Sequence, residues 1–80
     1  MQDFNNKQQT VSKIIKLLGS NYEFYCISFY SYSLNLQGAY SSNVVYTIRR
    51  EFKVEPTFNK AGFVEFYFKL NDESINITLT

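Results

Sequence analysis

The sequence predicts one small α+β domain, its elements in the order α-β-β-α-β-β-β, with an antiparallel sheet carrying the N-terminal helix on one face. Three patterns carry that reading. Over residues 6–18, Val11, Ile14, Ile15 and Leu18 fall at the i, i+3, i+4, i+7 spacing of one helical face. The run YEFYCISFY, residues 22–30, is aromatic and β-branched, the composition that fits a pleated surface. Residues 63–79 hold two alternating segments around Asn71-Asp72-Glu73-Ser74, the pattern of a hairpin.

Taken in order, the first helix is capped by Asn5 or Asn6, places Lys13 and Lys16 toward its C-terminal end, where cations suit the helix dipole, and stops at Gly19. In the run 22–30, Tyr22/Phe24/Cys26/Ser28/Tyr30 alternate with Glu23/Tyr25/Ile27/Phe29, so both faces are largely apolar. Such a strand belongs in the middle of a sheet covered on both sides, here by another helix, a second copy or a partner. After a turn, Leu34 and Leu36 alternate with Asn35 and Gln37 as a half-buried strand ending near Gly38.

Residues 42–52 admit two readings. As a helix, Ser42 or Asn43 caps it and Val44, Val45, Ile48 and Phe52 form one stripe. As a strand, Val44, Tyr46 and Ile48 alternate with Val45, Thr47 and Arg49, which would leave one helix on an all-antiparallel sheet. The helix is preferred because it would cover the second sheet face. KVEPTF follows as a strand whose Pro56 argues for an edge position or a bulge, then a turn at 59–62. On the strand 63–70, Val64/Phe66/Phe68/Leu70 share one face and Phe63/Glu65/Tyr67/Lys69 the other.

Eighty residues make a single domain, 1–80, near the lower end of what folds without staples. Seven Tyr and eight Phe offset that shortness, since each buried aromatic removes roughly 150–250 Å² from water. The net charge of +1 is a poor footprint for a nucleic-acid binder, whose domain pI usually exceeds ~9. Cys26, the single cysteine, sits in an apolar run and reads as a small buried hydrophobe. A polar N-terminus and the lack of a long apolar run predict a cytoplasmic protein with no membrane partner. The abundance of Asn, Lys, Ile, Tyr and Phe matches an AT-rich genome, such as that of a low-GC bacterium or its phage.

The chemistry is marked by what the chain lacks. Without His, the commonest general base, proton shuttle and metal ligand is missing, and a lone Cys has no base beside it. The three glycines are isolated, so no loop cradles phosphate. Glu51, Glu55, Asp72 and Glu73 read as solvated charges at helix ends and turns. No enzyme, cofactor or metal is expected.

Gly62-Phe63-Val64-Glu65-Phe66 matches the last five positions of the first ribonucleoprotein motif, with Phe63 and Tyr67 facing outward for stacking. Lys60 and Ala61 replace the motif's glycine and outer aromatic, the companion motif is absent, and residues 71–80 leave no room for a closing helix and strand. The match therefore reads as a core hairpin strand, and the family is not assigned.

The expected function is non-enzymatic binding of a protein partner, as an adaptor or inhibitor, with a phage or mobile-element accessory protein as one concrete form. The candidate surface comprises Tyr25, Arg49, Arg50, Phe63, Tyr67 and Lys69, residue types that serve protein interfaces. The alternative is single-stranded nucleic acid, stacked on Tyr25, Phe63 and Tyr67 beside Lys69, with Arg49 and Arg50 reaching phosphates. At the end of a helix the two arginines serve equally to satisfy terminal carbonyls. Monomer and homodimer stand equally open.

Overall fold

A computed structural model describes residues 4–19 and 21–80. Its elements are α1 (Phe4–Leu18), β1 (Phe24–Phe29), β2 (Ser33–Gly38), α2 (Ser42–Phe52), β3 (Thr57–Phe58), β4 (Val64–Leu70) and β5 (Glu73–Leu79). The element order is the expected one, and residues 42–52 are helical. The sheet runs β1-β2-β5-β4-β3. Three of its pairings are antiparallel, but β2 lies parallel to β5, so the sheet is mixed. The parallel pair follows from α2 and the β3–β4 hairpin standing between β2 and β5 in the chain, a crossover long enough for parallel strands.

Register places Leu34 beside Ile75 and Leu36 beside Ile77, which in turn faces Phe66. These residues share one face, and Val11 and Ile14 of α1 and Val44 and Ile48 of α2 pack on it in a single core. Both helices thus lie on the same side and touch each other. The expectation that the second helix covers the opposite face is overturned. That face carries Asn35, Gln37, Ser74, Asn76, Glu65 and Lys69, polar residues that need no cover.

The two apolar faces read into residues 22–30 have a local cause. β1 is an edge strand with a bulge between Phe24 and Cys26. The extra residue, Tyr25, switches the parity, so Phe24, opposite Gly38, and Ile27, opposite Leu36, face the core together. Cys26 and Ser28 then turn to the other face, and Cys26 is exposed rather than buried.

Local chemistry sets the ends. Ser41, not Ser42 or Asn43, caps α2: its backbone is extended and its Oγ accepts from Val44 N at 3.4 Å. The β4–β5 connection is the two-residue turn Asn71-Asp72 with φ of 53° and 64°, the left-handed geometry that matches strand twist. The β3–β4 loop is held by the Asn59 side chain, whose Oδ1 accepts from Ala61 N and Phe63 N, with Gly62 at φ +84°.

Lys53, after α2, sits at φ 54°, where a β-carbon costs energy that glycine avoids. Lys53→Gly is expected to raise stability by up to about 1 kcal/mol, read as a higher Tm. An unchanged or lower Tm would show that the Lys53 side chain makes a compensating contact.

Candidate functional site

The six sequence-predicted surface residues do not converge. Tyr67 and Lys69, opposite Asn76 and Ser74, lie on the bare sheet face. Tyr25 enters that face from the bulge, its hydroxyl 3.0 Å from Thr80 Oγ1. Between Tyr25 on β1 and Tyr67 on β4 stand β2 and β5, a separation of about 14 Å at ordinary strand spacing. Neighbouring bases cannot stack on both.

Arg49 and Arg50 belong to α2, across the sheet from that face. Arg49 holds Glu55, with Nε 3.0 Å from Oε2 and Nη2 3.2 Å from Oε1. Arg50 Nε lies 2.9 Å from Glu51 Oε2, and its guanidinium stands 5.3 Å from the centre of the Tyr46 ring. Such exposed pairs add little stability.

Phe63 ends up elsewhere. It precedes β4 and, with Tyr40, Val45, Pro56, Phe58 and Leu79, lines an apolar groove of about 370 Å³ between α2 and the β3–β4 hairpin. No lining side chain is charged. Phe58 is 73% exposed and Tyr40 56%, so two aromatics stand unburied at its rim. Tyr67 takes no part in it. Sequence reasoning missed Tyr40 and Phe58; the only signal was their place beside turn residues and Pro56, where a large apolar side chain has little core to enter.

The carboxylates also differ from expectation. Glu73 is fully buried, not solvated, and forms an ion pair with Lys7, itself 5% exposed. Lys7 Nζ also donates to Ser31 O at 3.0 Å. Glu73 Oε2 has no hydrogen-bond partner among the described residues. Around this pair, Asn71 Nδ2 donates to Thr10 Oγ1 at 3.1 Å, tying α1 to the β4–β5 turn. The cluster is a buried strut between α1 and the start of β5.

Two phenols are raised above their ordinary range. Burial, and then the neighbouring Tyr25, raises Tyr22. Donation to Glu65 at 2.7 Å is the main cause for Tyr67. Among the described residues no three His, Cys, Asp or Glu side chains gather as metal ligands, and no helix is long and apolar enough to cross a membrane. Neither a protein-family model, a curated protein nor a solved structure matches this chain, so its function has to be read from its own geometry.

Proposed function

We propose that this domain is a non-catalytic protein-binding module whose contact site is the groove between α2 and the β3–β4 hairpin. The occupant is an uncharged segment of a partner protein that inserts bulky apolar side chains. The observation that carries the reading is the set of exposed aromatics, Tyr40, Phe58 and Phe63, around a groove lined by no charged side chain. Apolar pockets rimmed by aromatics are where protein interfaces concentrate their binding energy.

The placement of the cations argues against nucleic acid. Lys7 is committed to Glu73, and Arg49 and Arg50 to Glu55 and Glu51. On the bare sheet face Lys69 stands on the same strand as Glu65, so that face offers no basic track to a phosphate backbone. An adaptor or inhibitor of phage or mobile-element origin is one form of this reading, supported by size and composition alone.

The test compares proteins retained by the wild-type chain and by Tyr40→Ser/Phe58→Ser, both after nuclease treatment. Each substituted side chain is more than half exposed, so the fold and its circular dichroism should persist. Loss of one stoichiometric protein from the variant, with affinity down at least about tenfold, is the expected result. Equal retention by both chains, or binding that disappears with nuclease, would overturn it.

A further inference from the structure

We infer that the segment seated in the groove is an α-helix of a different protein, laid beside α2 with an uncharged stripe of bulky side chains turned toward the sheet. This rests on the groove reading and adds the conformation and the origin of the occupant. The groove is a stretch of the sheet face on which both helices already pack. Leu79 and Val64, partners across β5 and β4 and both buried, form its floor, and Val45 of α2 forms one wall. A helix seated there joins the layer of α1 and α2, with its axis at the ordinary spacing of about 8–10 Å from that of α2. Its side chains at i, i+3 or i+4 and i+7 then enter the groove as one stripe.

Backbone chemistry separates a helix from an extended strand. A docking strand exchanges main-chain hydrogen bonds with the surface it joins, whereas a helix satisfies its own. Around the groove the main-chain donors are engaged. Tyr40 N donates to Thr80 O, Thr80 N to Gly38 O and Gly62 N to Asn59 O, each at 2.9 Å, and Phe63 N donates to Asn59 Oδ1 at 3.0 Å. The sheet edge beside the groove is β3. Asn59 N donates to Phe63 O, so alternation along the hairpin turns Thr57 toward β4 and the main chain of Pro56 and Phe58 away from it. Pro56 has no N–H, which leaves Phe58 as the one outward donor on β3, too few for a ladder.

Charge and supply select the partner. A charged group on the contact stripe would lose water without meeting a counter-charge, since no charged side chain lines the groove. A second copy of this chain has no suitable helix to offer. Among the described residues α1 exposes one large apolar side chain, Ile15, and α2 one, Tyr46, while Val11, Ile14, Val44 and Ile48 are spent in the core. Single side chains do not make a stripe, so the helix comes from another protein.

Two displayed peptide libraries of equal apolar content serve as probes. In one, Leu, Ile, Met and Phe vary at i, i+3, i+4 and i+7 of an Ala/Lys-based helix; in the other the same residues vary at alternate positions of Thr-based extended peptides. Each is selected on the wild-type chain and counter-selected on Tyr40→Ser/Phe58→Ser. Peptides held by the wild type and lost on the variant should come from the helical library and gain helical circular dichroism on binding. A central proline in such a peptide should raise its Kd more than tenfold. Groove-dependent peptides that come equally or mainly from the extended library, or that tolerate the proline, would overturn the helix and leave the groove reading standing. Selection of no peptide sensitive to the groove variant from either library would overturn both.

Discussion

Replacing Lys7 with Met will destabilise the domain by about 3–5 kcal/mol, because it leaves the Glu73 carboxylate buried without its counter-charge. For a chain of 80 residues that is a large share of the total, which at ordinary stability per residue comes to about 4–12 kcal/mol. The effect is large because Glu73 is fully buried and one of its oxygens already lacks a described partner, so nothing nearby takes over from the ammonium group. Lys7→Met/Glu73→Leu should recover most of the loss, since replacing both members of a buried pair with apolar groups is often neutral or better. Urea unfolding followed by circular dichroism distinguishes the cases: a lower midpoint at constant slope for the single variant, near-restoration for the double. A single variant within about 1 kcal/mol of wild type would mean that Glu73 reaches water when Lys7 is removed.

The pair's worth lies in placement as much as in energy. Lys7 binds Glu73 at the start of β5 and Ser31 O in the β1–β2 turn, so one side chain fixes α1 against both hairpins. Apolar packing of Val11 and Ile14 is non-directional, whereas a hydrogen-bonded ammonium specifies its partners. The double variant is thus expected to be stable but less sharply ordered at the N-terminal turns of α1, which amide exchange in residues 5–10 would report.

Much of the fold was legible because its signals are local. The spacing of Val11, Ile14 and Leu18, the alternation of Leu34 with Asn35 and of Ile75 with Asn76, and Pro56 beside a short edge strand each name an element without reference to the rest. What was not legible is non-local. Lys7 lies four residues before Val11 on the same stripe of α1, yet its burial depends on Glu73, 66 positions away. Cys26 was read as buried because it sits in an apolar run, and a one-residue bulge that the run does not reveal turns it to the exposed face. The side on which α2 packs depends on a crossover that no periodicity records. The candidate surface scattered for the same reason: Tyr67 and Arg49 look like partners only if the helix and the bare face lie together.

The second large effect lies at Gly38, where Gly38→Ala is expected to cost about 1–3 kcal/mol. A β-carbon there would stand 2.1 Å from Tyr22 Oη and 2.9 Å from Cζ, closer than atoms approach, and 3.1 Å from Phe24 Cδ1. Tyr22 is not easily displaced. Its hydroxyl donates to Ala39 O at 2.8 Å, and its ring meets Phe24 edge-on at 5.3 Å, so the aromatic pair covers the bare backbone at the end of β2. In a Tyr22→Ala background the same Gly38→Ala change should cost nothing or stabilise slightly, since glycine inside a strand carries a penalty of roughly 0.5–1 kcal/mol. A cycle of the four chains therefore measures the clash itself, with an expected coupling of about 1–3 kcal/mol; equal costs in both backgrounds would refute the steric account. The contact also reaches the edge of the sheet. Phe24 sits opposite Gly38, and the bulge begins at the next residue, so pushing Tyr22 and Phe24 aside moves the point from which Cys26 and Ile27 take their faces.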